Sequence, residues 1–446
     1  VVDLLDLACR VAGTARPGEQ VEAFVARGRR FTVRAYEGEV ESLTSAESAG
    51  IGVRIVAGGR QGFAHAGTLD EAVLAEMLAE ARDNLAFGEP DEWFALAEPD
   101  GVEGPVLDLY RAELASFPPD AKVAMAIELE RAVRAADARI GGIRACTYGD
   151  GIGEAAVATS TGIATWSQAT SCWLSAVALA PDGERTQVGS GVSVGRSPGE
   201  LDLDACARDA AERATRLLGA QPMPSARVPV VLERRVAASV LAVVGGMLNG
   251  ERVLKGRSPF AGRVGEQIAS PLLTLVDDAT DPRSFGADST DAEGLATRRT
   301  TLVEQGVLRG FLHNTYTGRR SGDGTTASAV RGYASTPGVG ALALAPTPGQ
   351  LDLDGLCRRV GDGVLVLSVS GLHSGVNPVS GDFSVGIEGM LLEGGVATRP
   401  IREVTMASTL QRMLLDITDV GGDLEWLPGG DAGVSLALAE ASISGA

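Results

Sequence analysis

The sequence predicts an α+β protein in which N-terminal α/β units with an antiparallel meander precede a β-rich C-terminal domain. Three observations carry this. Short segments alternate apolar and polar residues with a period of two, the signature of half-buried strands. A few Ala- and Leu-rich stretches repeat with the helical period instead. The chain holds 58 glycines and only 4% aromatic residues, a balance that suits many tight turns between short elements.

The elements follow in order. Residues 3–12 read as a short apolar helix. Alternating segments come next at 21–27, 30–36, 39–45, 52–57 and 62–66, separated by glycine-containing turns that include Glu37-Gly38 and Gly58-Gly59. This is an antiparallel meander. Thr68 and Glu71 make a capping box ahead of a helix that ends near residue 87. These elements make up an N-terminal α/β unit over 1–88. Residues 89–119 are rich in Pro, Glu and Asp and read as a linker. A second α/β unit, 120–218, has an amphipathic helix at 120–138, strands between 141 and 194, and a closing helix from about 202. Three prolines in 219–229 mark the next boundary. The C-terminal domain, 230–446, opens with a buried strand and an apolar helix near 235–249. Many strands follow, then a helix near 405–417 and a last alternating strand, VSLALAEASIS. SPGELDLDACARDA (197–210) and TPGQLDLDGLCRRV (347–360) echo each other. A Pro-Gly turn feeding an Asp-capped helix accounts for the echo; an old duplication is the other reading.

At 446 residues the chain has room for two or three domains. Its 45% hydrophobic and 22% charged content is that of a soluble globular protein. The net charge of −19 argues against nucleic acid and anionic membranes, which need a basic face. The five cysteines (Cys9, Cys146, Cys172, Cys206, Cys357) are scattered and odd in number, which suits a reducing cytoplasm rather than a disulfide framework. No charged-then-apolar leader is read at Val1, a trimmed leader being the other reading, and no apolar run reaches the roughly 20 residues of a membrane span.

Several motifs invite chemistry. Gly191-Val-Ser193-Val-Gly195 matches G-x-S-x-G, but a nucleophile elbow needs a strand turning directly into a helix. Here Arg196-Ser-Pro-Gly199 intervenes and the alternation runs through the serine. Gly50-Ile-Gly52 lacks the third glycine of a dinucleotide loop, and no Walker loop exists. Only His65, His313 and His373 are available as imidazole ligands; His65 is expected on a strand beside a turn, and His313 and His373 at strand ends. Asp277, Asp278, Asp281, Asp288 and Asp291 offer hard-cation ligands, without EF-hand spacing; solvated turn residues are the simpler reading.

Residues 239–270, SVLAVVGGMLNGERVLKGRSPFAGRVGEQIAS, resemble the metal-binding helix and following loop of the TldD/PmbA (TldD/TldE) metallopeptidase family. The resemblance extends through 30–67, 275–320 and 377–424. It implies an α/β portion followed by a β-rich one, and a zinc-bearing chain paired with a related chain that lacks the ligands. In zinc-bearing members the helix carries His-Glu-x-x-x-His. On the shared tail those positions fall on Leu241, Ala242 and Gly246. A Cys ligand before the last strand is also missing from LEWLPGGDAGVSL (424–436). Zinc needs donor side chains on one helical face and a base for its water, and Leu, Ala and Gly supply neither.

The resemblance thus implies a TldE/PmbA-like subunit with neither catalytic residues nor a metal or other cofactor. Its partner would be a TldD-like zinc-bearing chain, in a heterodimer or larger assembly, with a peptide or unfolded protein as substrate. A homodimer is one state open to it when it is alone. Gly245-Gly246 is expected to allow close backbone approach. Lys255, Arg257, Asn377 and Asp382 are candidate peptide or partner contacts. Two alternatives stay open: an enzyme of altered chemistry in modified-peptide or natural-product maturation, and a non-enzymatic homodimeric peptide-binding protein.

Overall fold

The computed structural model of the chain describes residues 2–445. Helix α1 (Leu4–Ala12) starts at Asp3, whose carboxylate accepts from the Leu5 and Asp6 N–H groups, donors that a helix start leaves free. Strands β1 (Gln20–Tyr36), β2 (Glu39–Ala57) and β3 (Arg60–Ala66) make the meander. The turns at Glu37-Gly38 and Gly58-Gly59 lie where expected, each with positive φ at both central residues, the geometry that matches strand twist.

The breaks expected at Gly28 and around Gly50 do not occur. VEAFVAR and RFTVRAY belong to one strand of 17 residues, and EVESLTS and GVRIVA to one of 19. Gly28 is paired with Ser48 on one side and Gly153 on the other. Ladder pairing on both sides holds Gly28 extended in spite of its entropy, and pairing with Ala26 does the same for Gly50. Helix α2 (Glu71–Leu85) is capped by Asp70, not by a Thr68–Glu71 box. Asp70 takes the Ala72 N–H, and the Thr68 hydroxyl is spent on the Asp70 N–H.

Residues 86–111 have no regular structure but bury Leu96, Ala97 and Leu109. After α3 (Ala112–Ala115), helix α4 (Pro119–Ala136) begins with proline at its first position, where no N–H is needed. Strands β4 (Gly142–Thr159), β5 (Ala164–Asp182) and β6 (Arg185–Gly195) follow, then α5 (Leu203–Thr215). Because β4 pairs with β1, the six strands form one antiparallel sheet, β3-β2-β1-β4-β5-β6.

The pleat sorts this sheet into two faces. On β1, Val21, Ala23 and Val25 meet α1 and α2, while Phe31, Val33 and Ala35 meet α4 and α5. The alternate residues Phe24, Ala26, Gly28 and Arg30 point the other way, where C-terminal residues cover part of the sheet.

The C-terminal part begins with β7 (Ala226–Leu232), α6 (Arg234–Met247) and α7 (Gly250–Leu254). Strands β8 (Leu275–Asp278), β9 (Arg299–Glu304) and β10 (Val307–Leu308) precede α8 (Thr315–Ser321). Then come β11 (Ala329–Val330), β12 (Gly338–Val339), β13 (Leu344–Pro346) and α9 (Leu353–Val360). The chain ends with β14 (Gly363–Ser370), α10 (Leu372–Gly375), β15 (Asp382–Glu393), β16 (Val396–Thr409), α11 (Leu410–Leu415), β17 (Ile417–Val420), β18 (Glu425–Trp426), β19 (Ala432–Gly433) and β20 (Leu436–Ser444). One sheet runs β10-β9-β8-β13. The other runs β16-β15-β14-β7-β20-β17, and β16 also pairs with β20, closing a ring. Closure removes the edges that open sheets expose.

The helix expected at 405–417 is only α11. Residues 405–409 are strand, paired with β15 and partly with β20, and this pairing overrides local helix preference. The two echoing segments do share a device: Asp202 caps α5 and Asp352 caps α9, each accepting from the N–H three residues on. No helix among the described residues is long and apolar enough to cross a membrane.

Candidate functional site

Helix α6 follows β7 directly and starts at Glu233, whose carboxylate accepts from the Arg235 N–H. Val236, Val240, Leu241, Val244 and Met247 bury one face in the largest core cluster, with residues of β7, β14 and β15. Leu241 is therefore a core side chain, Ala242 is exposed and Gly246 is half-buried. Close backbone approach does not explain Gly245. A Cβ there would lie 2.6 Å from Leu344 Cδ2, so the glycine admits a side chain. The open space beside Gly246 holds only the distal end of Arg252.

Strand β19 packs on this helix. A Cβ at Gly433 would sit 2.2 Å from the Arg234 carbonyl oxygen and 2.7 Å from Ala238 Cβ. The fold thus brings the cysteine-free stretch 424–436 against the histidine-free helix. Leu241, Ala242 and Gly246 carry no side-chain nitrogen, oxygen or sulfur, and no group of three or more His, Cys, Asp or Glu able to hold a metal occurs among the described residues. This donor set does not fit a zinc ion.

The other candidates disperse. His65 lies on β3, stacked on Phe63. His313 is not at the end of a named strand; it follows an isolated bridge at Leu312 and precedes the Asn314 cap of α8. It is buried, its Nδ1 faces the Thr317 hydroxyl at 3.1 Å, and burial pushes its pKa down. His373 is exposed on the one-turn helix α10. Ser193 sits within β6 opposite Leu174, and its hydroxyl accepts the Asp202 N–H, so it has no elbow geometry.

The acidic loop is consumed by its own turns. Asp277 takes the N–H groups of Leu342 and Ala343. Asp291 takes those of Glu293, Leu295 and Ala329, while Asp278 and Asp281 serve Thr280 and Arg283. Asp277 and Asp291 are buried rather than solvated. Burial pushes the Asp277 carboxyl up to about 6. Lys255 pairs with Glu251, and Arg257 is exposed. Asn377 accepts from Val379 and Ser380 N–H groups, and Asp382 from the Ser380 hydroxyl, so both hold their own loop.

Sequence patterns did not reveal a cleft of about 570 Å³ between the helix-free face of the long sheet and the loops around Phe285 and Arg331. Gly28, Gly151 and Gly153 leave its floor without side chains, which is why space exists there. Trp173 lies over Gly149, where a Cβ would be 2.1 Å from the indole, and Arg30 stacks on that ring at 5.4 Å. Tyr333 lies over Gly50 and Gly52, where a Cβ would meet its ring at 2.5 Å and its carbonyl oxygen at 2.2 Å. Gly50-Ile-Gly52 is a seat for this tyrosine. The available signal was glycine inside strand patterns, a mark of close approach.

Three family profiles match the chain in order: the PmbA/TldA metallopeptidase domain 1 over 21–85, the central domain over 112–218 and the C-terminal domain over 225–445. A metalloprotease PmbA homolog of Haemophilus influenzae is 25% identical, covering 96% of this chain and 93% of that protein. A metalloprotease TldD homolog of the same organism is 28% identical, covering 80% and 76%. The crystal structure of TldE from Thermococcus kodakarensis superposes with a TM-score of 0.88 at 22% identity, covering 96% and 97%.

Proposed function

This chain belongs to the PmbA/TldD metallopeptidase family, and we propose that it is a non-catalytic TldE/PmbA-like subunit. It helps form the peptide-access chamber for a zinc-bearing TldD-like chain, in the cytoplasm, in peptide processing or degradation. One observation carries the reading. The two stretches that would supply zinc ligands lie together, on α6 and β19, with Leu241, Ala242 and Gly246 in place of donors and no cysteine in 424–436. A helix that buries Leu241 in the core is a structural element, which supports the reading that the zinc chemistry belongs to another chain.

Two further features support it. One organism carries relatives of both the PmbA and the TldD kind. The outer edge of β2 over residues 39–49 has no strand partner among the described residues, and residues 39–48 are exposed. Such an edge suits strand addition by an extended peptide or by the partner.

Co-expression with a zinc-bearing TldD-like chain tests the proposal. A stable complex whose peptidase activity depends on both chains is expected, with zinc stoichiometric to the partner alone. Failure of the two chains to associate, or peptidase activity of this chain by itself, would overturn it.

A further inference from the structure

The chain has 58 acidic and 39 basic residues, enough acid to pair every base. The cleft departs from that balance. Arg196 is nearly buried and stacks on Phe285, yet it has no carboxylate within ion-pair distance among the described residues. Its Nη groups donate to the carbonyl oxygens of Thr170, Pro282 and Ser284. Arg30 is exposed over Trp173, also without an acid partner among the described residues. Arg331 is 1% exposed at its side chain. Its Nη1 donates to Glu22 at 2.5 Å, while Nε and Nη2 are buried with no hydrogen-bond partner among the described residues. Idle buried donors cost free energy. The bond of Arg331 to Glu22 and its seat over Phe24 place it about six residues of β1 from Arg30, at the far end of the cleft.

Two acids also line the cleft. Glu154 is already held by Arg27 at 2.6 Å and by the Trp166 indole N–H at 2.8 Å. Asp288 accepts the Ser167 hydroxyl at 3.2 Å, and burial pushes its carboxyl up. Neither forms an ion pair with Arg30 or Arg196, although the Asp288 charge favours the Arg196 guanidinium from further away.

We propose that this cleft is a carboxylate subsite for short extended peptides, in which Arg196 and Arg30 grip the carboxylate beside Trp173 and the peptide runs over the glycine floor toward Tyr333. Guanidinium forks match carboxylates in geometry and charge. The glycine floor lets a peptide backbone lie close to the sheet. A nucleic acid is not the occupant, because a chain of net charge −19 repels a polyanion beyond the reach of one small cleft. The volume is that of a small-ligand site, so a short segment fits and a folded protein does not. The peptide identity of the ligand rests on the function proposed above.

Calorimetric titration of the full chain with the tetrapeptide Gly-Ala-Val-Phe tests this. The peptide is used as free acid, as C-terminal amide, and as an amide with Glu replacing Val. The free acid is expected to bind at least about tenfold more tightly than the plain amide, an advantage that Arg196→Gln and Arg30→Gln abolish. If the Glu-containing amide binds as well as the free acid and is equally sensitive to the substitutions, the carboxylate comes from a side chain and the subsite stands. Because Arg30 is exposed, Arg30→Gln keeps the test valid should Arg196→Gln unfold the chain. Equal binding of acid and plain amide, no binding of any of the three, or wild-type binding by Arg30→Gln would overturn the proposal. None of these titrations measures association with a zinc-bearing chain, so the subunit role can fail or stand independently.

Discussion

Glu22 and Arg331 are 309 positions apart in the chain, yet their side chains meet at 2.5 Å with almost no solvent access. Glu22 also holds Arg54 through two hydrogen bonds of 3.0 and 2.7 Å, and Arg54 reaches Glu293 at 3.1 Å. Two acids on different parts of the chain are thus matched by two arginines. Burial alone would push the Glu22 carboxyl up, but Arg331 and Arg54 outweigh it and hold it low.

Glu22→Gln is therefore expected to cost about 3–5 kcal/mol, because it leaves buried guanidinium charge uncompensated. Denaturant unfolding checks this. The long sheet should also separate from the C-terminal part, seen as a second transition in place of one.

Gly52→Ala places a methyl group 2.2 Å from the Tyr333 carbonyl oxygen. Backbone cannot yield as a flexible side chain would, so a loss of about 1–3 kcal/mol is expected. Hydrogen exchange should localise the loosening to the loop around Tyr333 and to β2.

Leu241→Ala should destabilise by about 2–5 kcal/mol through the cavity it leaves in the core around α6. Elemental mass spectrometry of wild type and variant should find far less than stoichiometric zinc in both. Tightly bound zinc lost on substitution would contradict a packing role for this residue.

Asp277 gives a pH signature. Its folded pKa, about 6, lies above the ordinary 3.8 because burial disfavours the charged form, against the opposing Leu342 and Ala343 N–H groups. The folded state binds the extra proton between these values, so this group's contribution to stability falls as pH rises from about 4 to about 6 and is then constant. Asp277→Asn keeps an oxygen for both N–H groups and removes the charge. It should raise stability at pH 7.5 by about 1–3 kcal/mol and flatten that slope in chemical denaturation across the range.

Period-two alternation and turn glycines were legible along β1 to β6, since they are local. Lengths were not: Gly28 and Gly50 read as breaks, and only ladder pairing keeps them in strand, on both sides for Gly28 and with Ala26 for Gly50. Residues 405–409 differ from their local helical pattern for the same reason, their strand state being set by β15 and β20. The identities at 241, 242 and 246 were plain in the chain, as was the absence of cysteine from 424–436.

By itself the sequence determined the α+β class, the family resemblance and the lack of metal donors on α6, because each depends on residue type and short-range order. Tertiary structure alone decided that β19 lies against α6, that Tyr333 rests on Gly50 and Gly52, and that Arg30, Arg196 and Arg331 line one cleft. These contacts join residues remote in the chain. They follow from sheet register and pleat, which no local pattern encodes, because which neighbour a side chain meets is set by how the strands pair.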